Sequence, residues 1–192
     1  MILCDSEIRA ALRHGQIIIE PPPPPERFST TAVDLTLGGT DFKRWKAPGR
    51  PGIGLFIDAA HPGYFQTAAQ LLEDVPREND GSVIVQPGDF LLALTAERVE
   101  LPEEARFAAR VEGKSSHARI GLGIHITAPT IHAGFTGQIT LEIKSHGVLP
   151  IKLHPGMPIC QLIFEMVFGT PSIEMEGLFQ NQTSVGGQSD VP

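Results

Sequence analysis

The chain reads as a mainly β protein, a sandwich or jelly-roll-like barrel of many short strands. Strand-like apolar runs recur at roughly ten-residue spacing, as such folds require. Seventeen prolines and 20 glycines punctuate those runs and leave little room for long helices. The 192 residues suit one domain able to bury a sizeable core, and no internal repeat interrupts it.

Residues 5–14 predict a helix capped by Asp5, with Ile8, Ala11 and Leu12 on one face and Gly15 as its end. Ile17–Ile19 is a short strand, and Pro21–Pro25 an extended, stiff connector. Ala32–Gly38 alternates as a strand. Phe42, Trp45 and the glycine-rich segment 48–54 suggest a strand running into a loop, followed by the apolar run Leu55–Ile57. Residues 58–81 are less regular and are expected to include an exposed loop. Ser82–Val85 and Phe90–Thr95 predict strands joined by a turn at Gln86–Asp89, and Phe107–Val111 another strand after a turn at Leu101–Glu104. Ser115–Ile120 predicts a short helix, with Ser115 or Ser116 as N-cap and Gly121 as C-cap. Gly123–Thr127, Gln138–Lys144 and Ile159–Phe164 predict further strands, with turns at Ala133–Gly137 and His154–Met157. From Gly169 the chain turns polar and reads as a tail.

A net charge of −7 argues against a duplex nucleic-acid partner, which would call for excess Lys and Arg. Local cations can still hold a small anion in an acidic protein. No signal peptide and no bilayer-length apolar run is present, so a cytoplasmic location with no membrane partner is the expectation. Cys4 and Cys160 form no disulfide framework, although they could pair. His125, His132, His146 and His154 lack H-x-H, H-E-x-x-H or C-x-x-C spacing, and the zinc-deaminase pattern is missing. No protein-held metal is expected.

The densest chemistry lies in Val111–Leu122. Gly113-Lys114-Ser115 echoes a P-loop, but Ala108 stands where that motif needs its first glycine, and no long helix follows. What remains is a short helix start with exposed N–H groups, two hydroxyls and the Lys114 charge, which suits an anion or an ordinary capped helix. Arg119, four residues after Ser115, shares its helix face and can bind a carboxylate, orient a water or make a surface ion pair. In Gln138–Lys144, Ile139, Leu141 and Ile143 share one strand face, and Glu142 shares the other with Gln138, Thr140 and Lys144. That face either meets solvent or lines a pocket, where desolvation would fit the carboxylate for proton transfer.

These segments, in this order, resemble the dCTP deaminase family of the dUTPase-like fold. The resemblance runs from Met1–Asp5 through Ala32–Gly38, Gly113–Leu122, Ile131–Gly137 and Ile139–Glu142. It continues through Leu149–Ile151 and Pro155–Met157 to Phe179–Gln182. It implies a distorted jelly-roll β-barrel over residues 1–168, with the tail 169–192 folding over the active site on nucleotide binding. It further implies a homotrimer with sites between subunits, and zinc-free hydrolysis of dCTP to dUTP and ammonia, with Mg²⁺ carried by the triphosphate. By position, Glu142 would be the general acid/base, and Ser115, Arg119 and the Ala128 carbonyl would hold the attacking water. Lys114 and Ser116 would contact phosphate, and Gln182 would close over it. The segment His125–Ala128 resembles the one that rearranges when dTTP inhibits family members.

Some positions depart from the family pattern. His132 stands where an aspartate usually contacts the sugar and, in bifunctional members, serves triphosphate hydrolysis. A histidine cannot supply that fixed anion, so pyrophosphatase activity is not expected. Lys114 replaces an arginine, Leu178 a phosphate-binding lysine and Phe179 a tyrosine. These departures keep two alternatives in view: a deaminase for a modified or differently phosphorylated deoxycytidine nucleotide, and a nucleotide-binding module with little catalysis.

Overall fold

Alternation along two long strands decides the architecture. In Thr136–Ser145 and Pro158–Met166 the apolar residues Ile139, Leu141, Ile143, Leu162 and Phe164 are buried, while most of their neighbours are only partly so. Each strand therefore turns an apolar face inward, and two sheets close on one another.

The computed structural model describes residues 1–46, 56–173, 175, 177 and 179–187. In chain order the elements are α1 (Asp5–Arg13), β1 (Ile18–Glu20), β2 (Val33–Thr36), β3 (Lys43–Trp45), α2 (Tyr64–Ala69), β4 (Leu72–Asp74), β5 (Val83–Val85) and β6 (Phe90–Glu100). Then follow β7 (Phe107–Gly113), α3 (Ser115–Arg119), β8 (Leu122–Ile124), β9 (Thr130–Ile131), β10 (Thr136–Ser145), β11 (Ile151–Leu153) and β12 (Pro158–Met166). One sheet has the order β4-β3-β6-β10-β8, with β1 also on β6; a second is β2-β12-β7-β9, and β11 pairs with β5. Every named strand pairing is antiparallel, as a jelly-roll-like sandwich requires. The core between the sheets joins Leu35, Val111, Leu162 and Phe164 to Leu91, Leu141 and Ile143. Each such side chain contributes about 1.5–3 kcal/mol by leaving water. No described helix is long and apolar enough to cross a membrane.

Several elements differ from expectation. Helix α1 is capped at Cys4, not Asp5; the Cys4 N–H donates to Glu7 Oε2 at 3.1 Å. Helix α3 has Lys114 as its N-cap, so Ser115 and Ser116 lie inside the first turn and do not cap it. Gly121 then adopts φ +83° just beyond the helix. The irregular stretch 58–81, for which no helix or strand is expected, also contains α2 and β4. Strand β4 is registered on β3 by Lys43–Asp74 at 2.7 Å and Arg44–Glu73 at 2.8 Å, a charge complementarity that a search for apolar alternation passes over. Strand β6 runs on to Glu100, because Glu97 is buried and its carboxylate accepts from Thr36 N at 2.9 Å and Thr36 Oγ1 at 2.7 Å. Strand β8 stops at Ile124, since His125 takes φ +64° and cannot continue an extended ladder. Segment 48–54 and Leu55 lie outside the described residues. Both cysteines are free, and burial pushes the Cys160 thiol pKa up.

A Cβ on Gly121 would meet Gly147 N at 2.4 Å and Gly147 Cα at 2.5 Å. Gly121→Ala is expected to lose more than about 2 kcal/mol of stability through clash and positive-φ strain, read from urea unfolding midpoints.

Candidate active site

Register builds the site. On β10, Thr140 pairs with Leu94, Glu142 with Leu92 and Lys144 with Phe90 across β6. The residues between them, Leu141 and Ile143, face the main core. Thr140 and Glu142 therefore project from the outer face of the sheet, beside apolar partners. That outer face is covered, because Leu92, Leu94 and Val185 form a second buried cluster with Trp45, Leu72 and Phe90 against it. The result is a largely apolar cavity of about 410 Å³ that holds Glu142 at its wall.

Glu142 keeps 28% of its side-chain exposure, and His125 keeps 5%. Glu142 Oε2 stands 3.0 Å from His125 Nδ1, yet neither atom has an aligned hydrogen-bond partner. The backbone fixes this approach: His125 N donates to Glu142 O at 2.9 Å, and the positive φ of His125 turns its ring back over β10. The other ring nitrogen, Nε2, contacts the Ala128 carbonyl oxygen. Burial works against a charged ring here. The Glu142 carboxylate, together with the carbonyls of Ala128 and Thr140, outweighs it and raises the His125 pKa above the ordinary histidine value.

Thr140 Oγ1 and Gln182 Oε1 are also buried without partners, so several unsatisfied polar atoms belong to residues that line this one cavity. Such a cluster leaves polar atoms for water or a polar ligand to satisfy, as a binding cavity requires.

Among the sequence-predicted residues, the fold brings Glu142, Ala128, His132, Phe179 and Gln182 together around the cavity. Phe179 meets Phe65 of α2 edge-on, with ring centroids 5.4 Å apart. Gln182 is buried, and its Nε2 donates to Gln138 O at 2.7 Å. Ser115, Ser116 and Arg119 are not among the cavity residues; they are exposed on α3. Arg119 borders a separate groove with Ile120, His146, Val148 and Leu149. Lys114 is ion-paired to Asp34 of β2, not free in an anion site. Leu178 lies outside the described residues. Among the described residues no Lys or Arg lines the cavity, and Glu142 is its one carboxylate. No group of three or more described His, Cys, Asp or Glu is placed to hold a metal ion.

Sequence reasoning missed His125 as a site residue, because a single left-handed residue at a strand end leaves no periodic signal. It also missed Trp45, Phe65 and Phe90, whose aromatic type reads equally well as ordinary core.

A family model described as dCTP deaminase-like matches residues 2–167. The protein named "dCTP deaminase, dUMP-forming" from Methanosphaera stadtmanae is 37% identical over 188 residues, covering 98% of this chain and 90% of the relative. One of the same name from Methanothermobacter thermautotrophicus is 35% identical, covering 94% of this chain and 90% of the relative. One named "dCTP deaminase" from Rhodospirillum rubrum is 37% identical, covering 90% and 86%. The crystal structure of 2′-deoxycytidine 5′-triphosphate deaminase from Agrobacterium tumefaciens matches with a TM-score of 0.62 at 23% identity. It covers 86% of this chain, which spans 48% of that one, and it is a likeness of fold.

With the His125 pKa raised, the ion pair with Glu142 stabilises the fold fully below the unfolded histidine pKa and is lost as pH rises through the folded value. The stability gap between wild type and His125→Gln is therefore expected to be largest near about pH 6 and to shrink towards about pH 9. Urea unfolding across that range reads it.

Proposed function

The chain belongs to the dCTP deaminase-like family, and from that premise we propose that it hydrolyses dCTP to dUTP and ammonia in cytoplasmic pyrimidine deoxynucleotide metabolism. The observation that carries this is Glu142, a carboxylate on the wall of a mostly apolar cavity, touching His125 and flanked by unsatisfied polar atoms. The substrate is taken as its magnesium complex, with the metal on the triphosphate.

In the proposed reaction, Glu142 takes a proton from water as the oxygen attacks C4 of cytosine, and passes it to ring N3. The hydroxyl proton of the tetrahedral centre then moves to the exocyclic amine, the C4–N4 bond breaks, and ammonia leaves. The apolar walls exclude competing water and strengthen each electrostatic contact. Ser115, Arg119 and the Ala128 carbonyl would hold the water and the developing charge. His125 now contacts both the Ala128 carbonyl and Glu142. Segment His125–Ala128 must therefore shift to admit water, and inhibition by dTTP would act by favouring the blocked arrangement.

Charge supports a site shared between copies in a homotrimer. A triphosphate needs permanent cations, and among the described residues no Lys or Arg lines the cavity. The missing groups sit on exposed α3, beside a groove where Ile120, Val148 and Leu149 are exposed. A neighbouring copy's α3 would bring Ser115, Ser116 and Arg119 to Glu142. Lys114 would reach phosphate only by leaving Asp34. The tail 169–192 would fold over the nucleotide, with Phe179 and Gln182 against it.

The product distinguishes this chain from relatives whose names say dUMP-forming. Release of dUMP needs a further group to activate water at the phosphate, and His132 lines the cavity where the family resemblance implies a carboxylate. Incubation with dCTP should yield ammonia and dUTP in equal amounts with no dUMP, read by anion-exchange separation; dUMP as the main product would refute the assignment for His132. Glu142→Gln and Arg119→Ala chains, each inactive alone, should regain activity when refolded together. Failure of the mixture to recover would rule out a shared site.

A further inference from the structure

Beyond the residues that touch nucleotide, the chain carries a built seat for its own tail. Asn181 N donates to Thr136 O at 2.7 Å, and Gln138 N donates to Gln182 O at 3.1 Å, laying the tail along the start of β10. The Gln180 amide accepts from Thr136 N at 3.0 Å and donates to Gly134 O at 2.9 Å. The body makes room for this path. A Cβ at Gly134 would fall 2.7 Å from Met175 Cβ, and one at Gly137 would fall 3.1 Å from Gln182 N.

The outer end of the tail is fastened elsewhere. Val185 is 1% exposed, packed with Leu92 and Leu94 at the cavity wall. Its N–H donates to Asp41 Oδ2 at 2.8 Å, across 144 positions of sequence. Asp41 is itself mostly buried at 17% exposure, with Lys43 Nζ at 3.6 Å from its other oxygen. A carboxylate acceptor at the edge of an apolar cluster costs desolvation, which the Val185 N–H and the Lys43 charge offset.

We infer that Asp41 is a positioning residue for nucleotide binding: it clasps the tail at Val185 and so holds Phe179 and Gln182 against the cavity. The inference rests on the reading of this cavity as the nucleotide site. Asp41 is not among the residues that line the cavity; it sets the fraction of molecules whose tail is closed, and apparent affinity scales with that fraction.

The test is steady-state dCTP kinetics alongside amide hydrogen exchange at Val185. Asp41→Ala should raise KM about tenfold, leave kcat within about twofold and speed Val185 exchange about tenfold. Asp41→Asn keeps an acceptor oxygen and should return KM to within about threefold of wild type. An unchanged KM in Asp41→Ala, or a fall in kcat and melting temperature at constant KM, overturns the inference. Should Asp41→Ala fail to fold, Asp41→Leu, which removes the acceptor but keeps the volume at the apolar edge, is held to the same KM and exchange criteria. A wild-type protein that releases no ammonia from dCTP sinks the proposed function instead, while Val185 exchange in the Asp41 variants still decides whether the clasp exists.

Discussion

Across the β6–β10 ladder Glu142 is paired with Leu92, and that register places a carboxylate within an apolar outer layer. The inner face of the same strand is locked by Leu141 and Ile143 in the main core. A one-residue slip would exchange the two faces and bury the charge among aliphatic side chains, so core packing itself holds Glu142 at the cavity. His125 follows from this placement. Its amide is fixed to the Glu142 carbonyl, its left-handed backbone turns the ring over the strand, and the ring then spans Glu142 and Ala128.

The chemistry divides between two places on the chain. The cavity offers a carboxylate, an imidazole and apolar walls, whereas the hydroxyls and the guanidinium stand on exposed α3. Strand β8 links them, running from the end of α3 to His125 at the cavity wall within one short segment, residues 115–125. Just beyond α3, Gly121 takes a left-handed conformation where the chain enters β8, close against Gly147. Among the described residues the cavity of one chain thus has no Lys or Arg, while Arg119 stands exposed on α3.

Much of this was legible from residue pattern. Strict alternation in Gln138–Lys144 marked the strand and put Glu142 on its polar face, and the Ser115–Arg119 helix showed itself by its glycine stop. The pattern left open whether the Glu142 face meets solvent, because what covers it comes from elsewhere: Trp45, Leu72 and Val185, distant in sequence. The expected strand Phe90–Thr95 stops short of the end of β6, because the buried Glu97 is satisfied only across the fold, by Thr36. The caps also differ. Asp5, Ser115 and Ser116 have capping side chains, but the N-caps are Cys4 and Lys114, each directly before the first helical residue. The resemblance to the family supplied the roles that spacing alone did not, and it is matched by the family comparison over residues 2–167.

The central claim is that Glu142 moves the protons of deamination. Single-turnover ammonia release from dCTP by Glu142→Gln, with dCTP affinity measured in parallel, tests it most directly. The amide keeps the side chain's shape but cannot accept and return a proton. The result predicted is wild-type affinity within a few-fold and a rate lower by about a thousandfold, the scale of a lost general acid/base. Ammonia release at the wild-type rate would contradict it.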